Sequence, residues 1–465
     1  MVDERDAARV LEVALARGGD WAELFWERAE TLTLALDDGR LEHAVAAVSQ
    51  GAGVRVTSGD RTTYANGDTT DASDVVALAG RAAAMGVPAA SVTRTPAPLV
   101  REETPSPSAV RVDPRAVPLA RKSELLRRAD TVARATSARI VQATVTYREY
   151  VQDVVIANSD GRFRTDRRVR LVFGVNAVAR EGTVLESAYE QVAGTEGFEM
   201  LSDGAVEAVA RAAAERAARN VVAEPAPAGT YVVVLSSEAG GTLIHESVGH
   251  GLEADLNLKG LSVYAGKIGQ KVASGLITVI DDGTDPGKRG TEAIDDEGAR
   301  TRRTVLIEKG ILRTYLSDRT HARKLGIPES GNGRRESFRH LPICRMTNTM
   351  IAPGTSDPAA ILASVPDGIF VKKMGGGQVD VVSGSFAFEI TECYRIRDGK
   401  LAEPLRGATL VGQGPTLMSE IDLVGWDLGY SVGTCGKDGQ GAPVADAQPT
   451  LRIPSVVVGG TVGRA

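Results

Sequence analysis

Cysteine, histidine and aromatic residues are all scarce in this chain. Its 465 residues include 3 cysteines and 5 histidines, and aromatic residues make up 4%. The cysteines, Cys344, Cys393 and Cys435, lie far apart and form no CxxC pair, so we expect no disulfide framework and a reducing, cytoplasmic location. Since aromatic side chains are few, the core must be largely aliphatic, and the 51 glycines provide many tight turns.

A basic charge balance and a long apolar run are also missing. The 54 lysines and arginines stand against 60 aspartates and glutamates, which gives a formal net charge of −6. Proteins that bind nucleic acids typically carry a basic surface, and a membrane-spanning helix needs about 20 consecutive apolar residues. We therefore expect neither nucleic acid nor membrane as a partner. The chain also lacks the GxxxxGK(S/T) and GxGxxG motifs, so its glycines do not indicate a nucleotide site.

Hydrophobic periodicity predicts an α+β fold in two parts. Residues 1–222 are predicted to form an N-terminal α+β domain, an antiparallel sheet with helices. A surface connection over residues 88–118, which holds seven of the 20 prolines, interrupts it. The segment 222–229 predicts a domain boundary, and residues 229–465 are predicted to form a mostly-β domain that carries a metal-binding helix.

The most distinctive motif is His245-Glu246-Ser247-Val248-Gly249-His250. In the zinc-binding HExxH helix, imidazoles at i and i+4 share one face and the glutamate activates water. Here the spacing is one residue longer, and position i+5 of a regular α-helix lies about 140° away from i. We predict a π-turn, which restores the alignment and recurs at functional sites. There are two alternatives. The helix ends at Gly249, so that His250 can turn back, or the segment is a helix end with two surface histidines.

A zinc site needs a third protein ligand and an open position. Spacing alone leaves Glu253, Asp255 and a distant cysteine or histidine as candidates. Cys435 lies between small residues that would expose its sulfur, and Lys437 would favour its thiolate. An incidental loop cysteine explains the same pattern equally well.

Five segments of the second half resemble the TldD family of metalloproteases. They follow the family's order across most of residues 229–460, and they are HESVGHGLEAD (245–255), GNGRRE (331–336), RMTNT (345–349), GGGQVD (375–380) and GTCGKDG (433–439). The resemblance implies that His245, His250 and Cys435 bind Zn²⁺ and that Glu246 is the catalytic base, which activates the metal-bound water. The sister family, TldE or PmbA, lacks the metal motif, so this chain resembles the catalytic subunit.

The predicted function is therefore that of a zinc-dependent metallopeptidase. The resemblance implies unfolded peptides as substrates, in peptide maturation and protein degradation. It also implies a dimer, either a homodimer or a heterodimer with a TldE/PmbA-type subunit. Two alternatives stay open: a non-catalytic peptide-binding or modulator subunit, and a cysteine hydrolase that uses Cys435 as its nucleophile.

Two further segments carry weaker predictions. Residues 371–382, with three consecutive glycines, are a candidate sheet edge to which an extended peptide could add as a strand, and a glycine-rich hairpin turn is the alternative. The charged stretch 334–340, which includes His340, is predicted to be a solvated loop. The alternative is that His340 stabilises the developing oxyanion, or binds a peptide carboxylate together with the arginines of this stretch.

Overall fold

In a computed structural model that describes residues 2–86 and 94–460, a helix-covered sheet is followed by a β-rich second half. The prediction of an α+β fold is confirmed. Residues 88–93 of the predicted connection, residue 1 and residues 461–465 lie outside the described residues. In the described part of the chain, no helix is both long enough and apolar enough to span a lipid bilayer.

The N-terminal half builds one seven-stranded sheet. Its strands are β1 (Trp21–Asp37), β2 (Arg40–Ser58), β3 (Arg61–Gly67), β4 (Val100–Glu102), β5 (Ile140–Asn158), β6 (Arg162–Glu181) and β7 (Val184–Gly194). They lie in the order β3-β2-β1-β5-β6-β4, and β7 also pairs with β6. All of these pairs are antiparallel except β4 with β6.

Four helices cover this sheet and bury its apolar side chains. They are α1 (Glu4–Leu15), α2 (Ala72–Ala84), α3 (Leu119–Thr136) and α4 (Asp203–Asn220). The first two pack together over one aliphatic cluster, and the second two pack over another. Alanines line the buried faces of α2 and α4, which lets these helices lie close to their neighbours.

The second half builds a six-stranded sheet and an eight-stranded sheet. The six-stranded sheet has the order β12-β11-β10-β15-β22-β21. Its strands are β10 (Val279–Asp282), β11 (Arg303–Glu308), β12 (Ile311–Leu312), β15 (Asn348–Ile351), β21 (Gly429–Lys437) and β22 (Gln440–Gln448). A separate two-stranded ladder joins β13 (Gly333–Arg334) to β14 (Ile343–Cys344).

The other sheet closes on itself. Pairing of β16 with both β9 and β17 completes a ring of five strands, β16-β9-β23-β19-β17, and β18, β8 and β20 extend it. Its strands are β8 (Glu224–Pro225), β9 (Gly229–Leu235), β16 (Asp367–Asp380), β17 (Ser385–Arg397), β18 (Lys400–Arg406), β19 (Ala408–Gln413), β20 (Leu423–Val424) and β23 (Leu451–Gly459).

Short helices connect these strands. They are α5 (Thr242–Ile244), α6 (Ala254–Leu258), α7 (Arg319–Leu325), α8 (Pro358–Ala363) and α9 (Gly414–Glu420). One large hydrophobic cluster fills the space between the closed sheet and the six-stranded sheet. All strands of the N-terminal sheet come from residues 21–194 and those of the other sheets from residues 224–459. The predicted division into domains 1–222 and 229–465 stays a prediction.

Buried ion pairs join the N-terminal sheet to the second half. The Nη2 atom of Arg55 lies 2.8 Å from Glu23 and 2.5 Å from Glu297, and Arg335 donates to Glu23 at 2.5 Å. Arg334 donates to Glu292 at 2.9 Å. The prediction of a solvated loop at 334–340 is wrong for these two arginines, because carboxylates from both halves of the chain enclose them.

Arg168 tests how much these contacts stabilise the structure. Its guanidinium lies 2.6 Å from Asp296, 3.1 Å from Asp166 and 3.5 Å from Glu292. Replacing Arg168 by Met leaves buried carboxylates unpaired, so we expect the free energy of unfolding to fall by about 3–5 kcal/mol in urea denaturation. The exposed pair Arg313–Glu308 is the control, where Arg313→Gln should change stability by less than about 1 kcal/mol. Equal urea concentrations at the midpoint of unfolding for the two variants would contradict this prediction.

Candidate metal centre

His245 and His250 lie at the two ends of one π-helical turn. Residues 245–249 form a π-helix, and the amide of His250 donates to the carbonyl oxygen of His245, five residues earlier. The prediction of a π-turn is therefore confirmed. The two rings face the same side of the turn, with centroids 5.0 Å apart and planes at 88°.

Two glycines let this turn pack tightly against the neighbouring backbone. A Cβ atom at Gly249 would lie 2.0 Å from the sulfur of Met346, and one at Gly241 would lie 2.4 Å from the amide nitrogen of Ala447. Neither approach is possible for a larger residue without displacing the neighbour. The close packing brings the turn against β15 and β22, next to the strand that carries Cys435.

The sulfur of Cys435 lies between the two imidazoles. Its Sγ atom is 3.1 Å from Nε2 of His245 and 3.2 Å from Nε2 of His250. Cys435 belongs to β21, whose pairing with β22 folds it inward, so its side chain is buried. The expectation of an exposed sulfur is therefore wrong.

Carboxylates hold the other nitrogen of each ring. Oδ1 of Asp446 lies 2.7 Å from Nδ1 of His245, and Oε2 of Glu253 lies 3.1 Å from Nδ1 of His250. These contacts place a proton on each Nδ1 and direct each Nε2 toward the sulfur. Glu253, a candidate third ligand from spacing, thus lies behind His250.

Asp446 is the residue that sequence reasoning missed. It lies 201 residues from His245 and comes from β22. The available signal was a single carboxylate within the run Val-Ala-Asp-Ala of a buried strand. Carboxylates seldom occupy such positions unless they are paired.

Lys437 does not act on the thiolate as the sequence suggested. Its Nζ atom lies 3.0 Å from Glu253 and 2.7 Å from Asp255, and the Cys435 sulfur is not among its partners. Lys437 lies two residues after Cys435 on β21, so the two side chains point to the same face of the strand. There Lys437 pairs with the carboxylates behind His250.

The charges of the site favour a cation. Burial opposes ionisation of the Cys435 thiol, but hydrogen bonds and charge from both imidazoles lower its pKa to about 5. Burial likewise opposes protonation of His250, yet Glu253 and Cys435 raise its pKa to about 9. The negative groups around the imidazoles also attract a divalent cation, which must displace any proton on Nε2 to bind there, while the protons on Nδ1 stay in place.

Glu246 and the three donor residues line one cleft of about 1190 Å³. Glu246 is half-buried, and burial raises the pKa of its carboxyl, although the two imidazoles act in the opposite direction. The other walls come from β7 of the N-terminal sheet, including Tyr189 and Gln191, and from the glycines of β16. An extended ligand in this cleft would therefore contact both halves of the chain.

The glycine segment of β16 is irregular where it borders the cleft. Its ladder with β17 pairs Met374 with Ile390 and then Gly377 with Phe388, so Gly375 and Gly376 are left out of the register. On its other side, β16 pairs with β9 only over Ile369–Val371. Among the described residues, the rest of that edge has no strand partner.

The remaining predicted residues lie away from this cleft. His43 is exposed, and His340 contacts Ser337. His321 contacts Asp318 at 2.7 Å and Cys344 at 3.9 Å, but through the same Nδ1 atom. Asp318 also accepts from the amide of His321 at the start of α7, and burial raises the pKa of the Cys344 thiol, so a hydrogen-bonded cluster accounts for these contacts.

The chain matches the models of one protein family over most of its length. Residues 22–86 match domain 1 of the PmbA/TldA metallopeptidases, residues 112–221 match their central domain and residues 228–460 match their C-terminal domain. A metalloprotease TldD homolog from Haemophilus influenzae is 36% identical, over 97% of this chain and 95% of its own length. A metalloprotease from Methanothermobacter thermautotrophicus is 34% identical, over 95% of this chain and 96% of its own.

Solved structures share the fold at lower sequence identity. A Thermotoga maritima protein described as a proposed modulator of a DNA gyrase has a TM-score of 0.81 and 21% identity, and covers 98% of this chain and 100% of its own. TldE from Thermococcus kodakarensis has a TM-score of 0.79 and 18% identity, with the same coverage. At these identities the likeness establishes the fold alone.

The donor set fits a cation of the metallopeptidase type. Two imidazole nitrogens and a thiolate are ligands that Zn²⁺ takes in catalytic sites, and tetrahedral coordination separates sulfur and nitrogen ligands by about 3.6 Å. The observed distances from Sγ to the two Nε2 atoms are 3.1 and 3.2 Å, so the three side chains must move apart by a few tenths of an ångström to hold the ion.

Asp446 should therefore control how tightly a cation binds. Replacing Asp446 by Asn keeps its shape but removes the charge that fixes His245, so we expect affinity to fall about 10- to 100-fold. Competition with a chromogenic chelator measures this, with Asp422→Asn at a distant surface ion pair as the control. Equal affinities in both variants would show that Asp446 does not support the site.

Proposed function

The chain belongs to the TldD/PmbA family of metallopeptidases, and from that premise we propose that it is a zinc-dependent peptidase acting on unstructured peptides. In this proposal His245, His250 and Cys435 hold Zn²⁺, and Glu246 is the catalytic base. The observation that carries the proposal is the convergence of both Nε2 atoms on Cys435 while carboxylates occupy both Nδ1 atoms.

The first role of the protein is to hold its ligands in the reactive form. When bound, Zn²⁺ supplies a Lewis acid that acidifies water and polarises a peptide carbonyl. Asp446 and Glu253 fix the tautomers of the two histidines, and Lys437 keeps the charge of Glu253 balanced. With one thiolate and two neutral imidazoles, the site retains a net charge near +1, which leaves it electrophilic.

Glu246 moves the proton that hydrolysis requires. Its carboxylate accepts a proton from the attacking water and then donates it to the nitrogen of the departing amine. Half-burial suits this role because it raises the pKa of the carboxyl, which makes the group a better proton acceptor and then a usable acid. Its position next to His245 in the chain keeps it at the cleft surface.

The open edge of β16 gives an extended peptide a place to bind. Beyond Val371 the strand has backbone groups without a strand partner among the described residues, and its glycines leave room for a second backbone. A peptide added there forms main-chain hydrogen bonds that do not depend on sequence. Such binding favours unstructured chains, because a folded protein already uses those backbone groups internally.

A cysteine hydrolase is the competing function that one observation favours. Cys435, His245 and Asp446 line up as a nucleophile, a base and an orienting carboxylate, at 3.1 and 2.7 Å. The second imidazole on the same sulfur and the family's metallopeptidase character favour a metal site instead. Loss of peptide hydrolysis in a chelator, restored by added Zn²⁺, supports the metallopeptidase; activity that persists without metal but is lost on alkylation supports the alternative.

We propose a sister subunit of the TldE/PmbA type, or a second copy of this chain, as the partner. The likeness of this fold to a solved TldE supports two similar subunits in one assembly. A non-catalytic modulator subunit would contain no stoichiometric metal and would not cleave peptides. Metal analysis and hydrolysis of a disordered peptide, for the chain alone and with a sister subunit, separate these possibilities.

Glu246→Gln tests the catalytic base. The amide cannot accept the proton, so we expect kcat to fall about 10²- to 10⁴-fold while bound zinc stays at the wild-type level. The matched control is Glu420→Gln, an exposed glutamate at the end of α9 that does not line the cleft, which should leave kcat within about twofold of wild type. Wild-type turnover in Glu246→Gln would remove Glu246 from the mechanism.

Gly376→Pro tests strand addition. Proline removes an amide donor and restricts the backbone at the open edge, so we expect KM for an unstructured peptide to rise at least about fivefold with little change in kcat. Gly376→Ala is the control, because no atom lies within 4 Å of the position of its Cβ. If steady-state kinetics give the same KM for both variants, the peptide does not bind along this segment.

A further inference from the structure

A second cavity of about 400 Å³ lies beside the metal cleft and is lined by arginines. Six arginines contribute to its walls, namely Arg148, Arg168, Arg170, Arg289, Arg334 and Arg335. Four carboxylates also line it, but one of them, Glu149, is held by the buried Lys122 at 2.7 Å. The cavity therefore carries an excess of positive charge.

Arg170 brings unused hydrogen-bonding capacity to this cavity. Its side chain is buried, and its single carboxylate contact is made by Nη2 with Glu292. Arg168 and Arg334 contact the same carboxylate. The buried Nε–H of Arg170 has no partner among the described residues. A buried donor without a partner has lost its hydrogen bonds to water without replacement, and an incoming acceptor would restore one.

Arg289 is a cavity arginine that lacks an acidic partner. Its guanidinium donates to the carbonyl oxygen of Gly433 at 3.3 Å and to Thr434 Oγ1 at 3.1 Å, both neutral groups. Within the described residues no carboxylate forms an ion pair with it. Burial and the neighbouring charges of Arg170 and Arg334 lower the pKa of Arg289 to about 10. An anion placed here would relieve that repulsion.

The cavity and the metal cleft share a wall. Tyr189, Gln191, Gly433 and Thr434 line both of them. Consecutive residues of a strand point to opposite faces, so Thr434 contacts Arg289 on one side of β21 while Cys435 faces the imidazoles on the other. A ligand that extends past Tyr189 and Gln191 could therefore reach both spaces.

We propose that this arginine-lined cavity binds a carboxylate group of the peptide substrate, with Arg170 and Arg289 as its main donors. The proposal rests on the proposed peptidase function and deepens it, because it assigns the site a substrate class. The carboxylate can come from the C-terminus of the peptide or from an acidic side chain. Guanidinium groups suit both, because they bind carboxylates through paired, charge-assisted hydrogen bonds.

Ion pairs between the two halves of the chain do not account for all of the arginines in this cavity. Ion pairs that serve only to join two surfaces bring carboxylates to each arginine, as Glu23 and Glu297 do for Arg55. Arg289 departs from that pattern, because no carboxylate pairs with it among the described residues, and it lines the same cavity as Arg170, whose buried Nε–H has no partner. Their position favours a ligand site over a structural contact.

Peptide binding can be measured without turnover in the zinc-loaded full chain carrying Glu246→Gln. Three labelled unstructured peptides are compared by fluorescence anisotropy: a free acid, its C-terminal amide, and the amide with one internal aspartate. We expect the free acid or the aspartate peptide to bind at least about 10-fold more tightly than the plain amide. The peptide that gains affinity identifies the source of the carboxylate.

Substitutions of the cavity arginines then locate the effect. Arg289→Gln should reduce the preference to about twofold or less, while Arg303→Gln, at an exposed arginine that does not line the cavity, should preserve it. Zinc content is measured in each protein, because Arg289 contacts residues next to Cys435. If Arg289→Gln loses zinc, Arg170→Gln replaces it, since Arg170 is the other main donor and lies on β6, away from β21.

Two outcomes would overturn the proposal: equal affinity for all three peptides, or a preference that survives both cavity substitutions. Failure of the peptidase proposal would look different. In that case wild-type protein would not hydrolyse any of the peptides, whereas the carboxylate preference in binding would persist. Hydrolysis without any preference would refute the cavity proposal alone.

Discussion

The hydrogen bonds that two imidazoles donate to Asp446 and Glu253 are the contacts on which the site depends. A histidine can present either ring nitrogen, and here a carboxylate behind each ring leaves Nε2 as the atom that faces Cys435. Without these two contacts, the same three donor residues could adopt several arrangements. With them, the nitrogen and sulfur atoms converge on one point.

The fold provides these partners through two local devices. The hairpin of β21 and β22 carries both Cys435 and Asp446, so one element fixes the sulfur and the orientation of His245 together. The π-turn, packed through Gly249 onto Met346, brings His250 to the same point. Because all of these parts are buried, small movements of the surface should not disturb the donor geometry.

The two halves of the chain meet in a region of unusually dense charge. Some of its arginines, such as Arg55, form ion pairs with carboxylates from both halves and join the N-terminal sheet to the second half. Others, above all Arg289, are held by neutral groups next to the strand that carries Cys435. Arginines of the first kind hold the structure together, whereas those of the second kind are available to a ligand. The N-terminal sheet contributes to the walls of both the arginine-lined cavity and the metal cleft.

Patterns in the sequence were enough to predict the local features. The α+β fold, the π-turn and the family followed from short-range spacing and motif order, because these depend on residues close together in the chain. The partner of His245, the true contacts of Lys437, and the burial of Arg334 and Arg335 did not follow. They required the tertiary structure, because a hydrogen bond or ion pair between residues up to 312 positions apart exists only once strand order brings them together. A charged residue has the same side chain whether it is solvated or enclosed, and only packing decides between the two.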